Sequence, residues 1–244
     1  MLFHAYIIVI VRLRGMGSMN KKWELFMSLL LILTVSFIAR NIGTIESMAE
    51  TADRIVVLDA GHGGSDPGKI GVNNALEKDI NLSIVLKVKA LLEEKGITVV
   101  LTREDENGLY QESDTNKKRS DMQKRCQIIA DSKCSIAVSI HQNSYHEEGV
   151  AGPQVFYYTT STQGQQLATI IQNELIEQLA PEKKRTAKPN DSYYLLKKAI
   201  CPIVIVECGF LSNWNEATLL VTEEYQQKIA QAVADGIEKH LSLR

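Results

Sequence analysis

With 244 residues, 45% of them hydrophobic, the chain is long enough to bury one good core and a small addition but too short for two full enzymes. Its 27 basic and 29 acidic side chains leave a net charge of −2, and no strongly basic or interleaved basic-aromatic run breaks that balance. The composition therefore argues against nucleic acid as a partner.

Residues 1–52 differ in character from residues 53–244. A short apolar run over 2–11 is closed by Arg12 and Arg14, and a second run over 23–39 follows Lys21 and Lys22. As a helix, the 17 residues of the second run reach roughly 26 Å, slightly less than the ~30 Å of a bilayer's hydrocarbon core. Two lysines, an apolar stretch and then Ser47-Met48-Ala49 make the pattern of an export signal with a weak small-x-small cleavage site. Met19 stands just before the lysines and offers an internal start that would leave residues 1–18 outside the product. No polar face interrupts the stretch from Leu29 to Leu33, which argues against a buried core helix. The expectation is a signal or membrane anchor with linker over 1–52 and a catalytic domain over 53–244 lying outside the cytoplasm. Cleaved signal and retained anchor both fit.

The apolar stretch from Ile55 breaks abruptly into Asp59-Ala60-Gly61-His62-Gly63-Gly64. It predicts a buried strand of a mostly parallel sheet, with His62 beyond its carboxyl end, where open α/β sheets meet their ligands. The run from Gly63 to Lys69 also matches GxxxxGK, the front of a phosphate-binding loop. Ile70, however, stands where Ser or Thr must hold magnesium, and Gly71, Asn73 and Asn74 are poor openers for the helix that motif requires. A helix is expected from about Ala75, with Ile80, Ile84, Val88, Leu91 and Leu92 at helical spacing and Gly96 as its stop. A strand over 97–101, a polar loop over 106–116 and a helix over 117–130 follow.

Residues 135–140 predict a third strand that runs directly into His141-Gln142-Asn143-Ser144, repeating the opening pattern of apolar strand and then histidine. Next come a strand over 155–158, a helix over 162–179, a charged connector over 181–190 and a short helix through Lys198 capped by Asp191. A strand over 203–206 ends at Glu207, and Thr222, Glu223 and Glu224 open a closing helix whose apolar face is Ile229, Val233, Ile237 and Leu241. The alternation predicts a single α/β domain, one mostly parallel twisted sheet with helices on both faces.

Four cysteines in an exported chain raise the question of disulfides. Cys201 and Cys208 flank one strand, roughly 23 Å apart, and cannot meet. No CxxC occurs, so thiolate zinc is not indicated. The default is four small buried thiols, with a Cys126–Cys134 link allowed but unsupported.

Three strands thus end in a potential ligand or acid, namely His62, His141 and Glu207, and Glu77 opens a helix whose amino end packs toward the same sheet edge. Two imidazoles and one carboxylate with an open fourth position are the usual ligand set of hydrolytic zinc, and the remaining carboxylate is then free to act on water. Each residue has a plainer reading. Asn74 with Glu77 three residues on fits a capping box, which spacing alone favours over ligation. Glu207 could pair with an arginine, although an acid following four apolar strand residues is costly to bury unpartnered. His146 and His240, among polar and charged neighbours, read as solvated, and Asn143 and Arg125 as orienting groups or ordinary polar residues.

The blocks LDAGHGGSDPG, EKDINL, SIHQNS and VECGFLSN, in that order over 54–241, resemble the signature blocks of the zinc-dependent N-acetylmuramoyl-L-alanine amidases, the amidase 3 family. The resemblance implies that His62, Glu77 and His141 bind Zn2+ and that Glu207 is the catalytic acid and base, which overrides the capping reading of Glu77. It implies peptidoglycan as substrate and cleavage of the amide between N-acetylmuramic acid and L-alanine. Within the family the likeness is greatest to germination-specific spore cortex amidases, through the short export segment, the lack of wall-binding repeats and the stretch from Lys188 to Leu196. These strip peptides so that muramic lactam can form. Ala60 and Gln142 depart mildly from the family pattern. A zinc peptidase cutting another stem-peptide bond and a non-catalytic wall-binding regulator remain as alternatives, and no segment identifies an accessory protein partner.

Overall fold

Successive strand side chains point to opposite faces of a sheet, so strands buried on both sides must be apolar nearly throughout. The computed structural model describes residues 20–52 and 55–243. Strands β1 (Ile55–Ala60), β2 (Thr98–Leu101), β3 (Ile136–Asn143), β4 (Gln154–Tyr158), β5 (Lys188–Asn190) and β6 (Ile203–Phe210) form one sheet in the order β2-β1-β3-β6-β4-β5. β2, β1, β3 and β6 run parallel, β4 is antiparallel to β6, and β5 is parallel to β4. The sheet is therefore mixed but mostly parallel, as the alternation of elements predicts.

The helices are α1 (Lys21–Ala52), α2 (Glu77–Glu94), α3 (Lys117–Asp131), α4 (Thr162–Leu179), α5 (Tyr194–Lys198), α6 (Trp214–Leu220) and α7 (Glu223–Leu241). On one face Val56, Leu58, Val138, Ile140, Val204 and Val206 meet Ile84 and Val88 of α2, Leu167 and Ile171 of α4, and Ile229, Val233 and Ile237 of α7. On the other, Val57, Ala137, Ile203 and Ile205 pack with Ile129 of α3 and with Leu195 and Leu196 of α5. Each fully buried aliphatic side chain contributes about 1.5–3 kcal/mol, so the three-helix face dominates the stability.

Several local expectations are corrected. The first helix of the domain starts at Glu77, because Asn73 Oδ1 accepts from the Ala75 amide and Asn74 sits at φ 64°; Asn74 caps nothing and Leu76 occupies the cap position. β3 and β6 run past their predicted ends because they extend each other, with His141 opposite Glu207 and a register shift between His141 and Asn143. Asp191 does not cap α5: Asn190 Oδ1 turns the chain instead, accepting from the amides of Ser192 and Tyr193. The charged connector contains β5. α6 went unpredicted although Asn213, three residues before Glu216, is an N-cap signal, and its side chain accepts from the Glu216 amide at 3.0 Å. Thr222 caps α7 as expected. His240 is not solvated; it follows Gly236 and Ile237 on the inner face of α7 and is 1% exposed.

The chain divides into two compact units, one ending at Glu50 and one beginning at Thr51. In the first, Trp23, Leu25, Leu29, Ile32 and Phe37 are exposed. Among the described residues, no helix is long and apolar enough to cross a membrane. The apolar run over 2–11 and the start at Met19 lie outside the described residues.

Candidate metal centre

The site is built at the carboxyl edge of the three central strands, beginning with the turn after β1. The Gly61 amide continues the ladder to Ile140 O at 3.2 Å, and His62 then adopts φ 64°, a left-handed conformation uncommon for a side-chain-bearing residue. Two buried arginines hold this turn. Arg103 donates from Nε to Ala60 O at 2.9 Å and from Nη2 to Gly61 O at 3.2 Å. Arg125 donates from Nη1 to Ala60 O at 2.7 Å and from Nη2 to His62 O at 2.5 Å. The charge of Arg125 is met by Asp59 Oδ1 and Asp121 Oδ2, each at 2.6 Å. Glycine at 61 makes room for the His141 ring, which a Cβ there would overlap. Gly61→Ala is therefore expected to displace that imidazole and lower the affinity for a divalent metal ion by about 10–100-fold, read by competition with a chromophoric chelator; unchanged affinity would show that the contact does not constrain the site.

Glu77, the first residue of α2 and 2% exposed, reaches between the two histidines. Its Oε2 lies 3.2 Å from His62 Nε2 and its Oε1 2.9 Å from His141 Nδ1. The backbone amides of Lys69 and Gln142 donate to the same carboxylate at 2.8 and 3.1 Å. Burial by itself would raise the Glu77 pKa, but hydrogen bonds from His141 and His62 outweigh it and hold the carboxyl well below the usual range. Burial likewise disfavours charge on His62, yet Glu77 and Asp66 raise its pKa. One donor atom from each of His62, Glu77 and His141 falls within 4.8 Å of the others. Asp66 Oδ2 contacts His62 Nδ1 at 3.0 Å, which fixes the ring and leaves Nε2 facing the cluster, the usual carboxylate support of a metal-binding imidazole.

Glu207, on β6 beside His141, faces the same cleft. The Tyr193 hydroxyl donates to its Oε1 at 3.4 Å, while its buried Oε2 has no hydrogen-bond partner among the described residues. Burial, reinforced by the nearby Glu77 charge and only partly offset by His141, pushes the Glu207 carboxyl up to about 7. Among the described residues no arginine pairs with it, so the salt-bridge alternative does not hold there. Lys118, Met122, Tyr193 and Tyr194 line the cleft around these groups.

All four predicted residues, His62, Glu77, His141 and Glu207, are thus brought to one edge of the sheet. Arg125 grips the turn from the cleft wall, and the Asn143 side chain accepts from the Ser144 amide at 2.8 Å. Sequence reasoning missed Asp59, Asp66, Arg103 and Tyr193. Asp66 had a weak local signal, an acid four residues after a histidine; the others had none.

A family model for N-acetylmuramoyl-L-alanine amidases, Amidase_3, matches residues 56–239. The chain is 35% identical over 192 residues to the germination-specific N-acetylmuramoyl-L-alanine amidase of Bacillus subtilis (strain 168), covering 78% of this chain and 80% of that one. Its fold is similar to that of the CwlD amidase from Clostridioides difficile in complex with the GerS lipoprotein, with a TM-score of 0.76 and 42% identity over 78% of this chain and 100% of the other. It is also similar to the amidase AmiC2 of Nostoc punctiforme, with a TM-score of 0.69 and 33% identity over 78% and 98% of the two chains. The matched stretch contains the whole histidine and glutamate cluster, and the chain belongs to the N-acetylmuramoyl-L-alanine amidase family.

Proposed function

We propose that residues 53–244 form a zinc amidase domain that hydrolyses the bond between N-acetylmuramic acid and L-alanine of peptidoglycan, in the maturation of spore cortex, where peptide removal leaves muramic acid for lactam formation. The observation that carries this reading is the convergence of three donors within 4.8 Å beside the buried, unpartnered Oε2 of Glu207. His62, Glu77 and His141 would hold the ion. Two imidazoles and one carboxylate with room for a further ligand suit catalytic zinc, which when bound lowers the pKa of water to about 7 and polarises a carbonyl.

The protein's own residues move the proton. Glu207 takes it from the attacking water at Oε2 and returns it to the departing amino group of L-alanine as the carbon–nitrogen bond breaks. A carboxyl pushed up to about 7 suits both halves of that exchange near neutral pH. Tyr193 keeps its proton, because burial and the Glu207 charge push its phenol up to about 12, and so it steadies Oε1 while Oε2 works. Lys118, Met122 and Tyr194 offer charged and apolar surface to the sugar and stem peptide.

Dialysis against a chelator is expected to abolish release of stem peptides from purified muropeptides, and one equivalent of zinc to restore it. Mass analysis should find whole peptides with a free L-alanine amino terminus and intact sugars. Fragments cut within the stem would instead support a zinc peptidase, and turnover unaffected by chelation would refute the metal's role.

The export pattern over 21–49 and the exposed apolar side chains of α1 support action outside the cytoplasm, with the amino-terminal segment as signal or anchor. Because the similar CwlD amidase is described in complex with a lipoprotein, an accessory protein partner is part of this proposal.

A further inference from the structure

Cys134 stands two residues before β3 and Cys201 two residues before β6, the two neighbouring central strands. Pairing begins with Ala137 opposite Ile203, so stepping back along both strands puts Ser135 opposite Cys201 and Cys134 one position further back, close enough for the two sulfurs to meet although 67 positions separate the cysteines in sequence. Adjacent strands lie about 4.8 Å apart, inside the roughly 4.4–6.8 Å of Cα separation that a disulfide spans. Their Sγ atoms are 3.0 Å apart. The sequence allowed a Cys126–Cys134 link without supporting it, and the fold instead places Cys201 against Cys134.

The four thiols are not chemically equivalent. The contact with Cys201 outweighs burial and lowers the Cys134 thiol from its ordinary value, which favours the thiolate that attacks a disulfide. Burial pushes Cys126 and Cys208 the other way, and Cys208 is completely enclosed. Cys201 is only partly buried, which leaves a path for an oxidant.

We propose that Cys134 and Cys201 form a disulfide that staples the amino ends of β3 and β6. The oxidant is a disulfide compound, either a small molecule or an oxidised dithiol protein. The Cys134 thiolate attacks one of its sulfurs, forming a mixed disulfide and expelling one thiolate. The Cys201 thiolate then attacks the Cys134 sulfur and expels the second. The cysteines lose two electrons and two protons, which end on the two thiols of the reduced oxidant. Cys134 precedes His141 by seven residues and Cys201 precedes Glu207 by six, placing the bridge roughly 20 Å along the strands from those groups. It stiffens the frame that keeps His141 opposite Glu207 without touching the chemistry, and it holds whether or not the amidase reading is right.

The full chain is incubated with oxidised glutathione, denatured and alkylated under non-reducing conditions. The expected product carries two alkylated cysteines, and peptide mapping joins Cys134 to Cys201. Its melting temperature is expected to exceed that of the reduced protein by about 5–10 °C, and Cys201→Ser should abolish the difference. Hydrolysis of muropeptides below the transition stays unchanged between the two forms. Four alkylated thiols after oxidation, or a bridge to Cys126, would overturn the assignment. A correct bridge with no change in melting temperature would overturn its role as a staple. Because reduction is carried out on the wild-type chain, the comparison survives even if the serine variant folds poorly.

Discussion

Glu207→Gln is expected to reduce release of stem peptides by about 10²–10⁴-fold while zinc affinity and melting temperature stay near wild type. The amide has nearly the shape of the carboxyl it replaces, and its oxygen can still accept from the Tyr193 hydroxyl. What disappears is the capacity to take up and return a proton. Stability should be preserved because the site already disfavours charge, as a carboxyl pushed up to about 7 by burial indicates. The loss should fall on kcat more than KM, since the group acts on the reacting atoms. Retained turnover would remove Glu207 from the proton-transfer role, and a large drop in zinc affinity would make it a ligand rather than a base.

Arg125→Met is expected to be the most damaging single change to stability, at about 3–5 kcal/mol, because it leaves Asp59 as a buried charge without its counterion. Both side chains are 1% exposed and meet at 2.6 Å. Thr102 and Ser139 hydroxyls also donate to Asp59, at 2.7 and 2.5 Å, so the carboxylate is well solvated by the protein only while the guanidinium is present. The double variant Asp59→Asn with Arg125→Met should recover part of the loss, since no charge is then stranded. Urea unfolding of the two variants measures this; equal losses in the single and double variants would contradict it.

The same pair sets an acid limit. Burial would raise the Asp59 pKa, but Arg125 and the two hydroxyls hold it at about 2, below the ordinary 3.8. A carboxyl depressed in the folded state contributes stability that is fully present above about pH 4 and is lost as pH falls toward 2, here on the order of 2 kcal/mol. In Arg125→Met the depression should vanish and acid unfolding should begin at higher pH.

How far the sequence reached can be followed along the site. β1, β3 and β6 were legible because each is a short apolar run with an abrupt polar end, and the same punctuation marked His62, His141 and Glu207. Glu77 was legible as a helix opener but not as a ligand, because a capping box and a ligating glutamate share one spacing; the family likeness decided it. In the folded chain Asn74 turns away with positive φ, and the Glu77 carboxylate bridges both imidazoles. α6 carried a readable cap at Asn213. β5 is three residues of charged connector whose pairing with β4 no local pattern announces.

The sequence by itself determined every element of the domain but β5 and α6, together with their alternation, the α/β class and the identity of four polar residues at element ends, because hydrophobic period and strand punctuation are local properties. Only the tertiary structure decided that Arg103 and Arg125 grip the turn before His62, that Tyr193 holds Glu207, and that Cys134 meets Cys201. Those contacts depend on which strands become neighbours and in what register. The geometry of a sheet assembled from distant segments sets that register, and no window along the chain contains it.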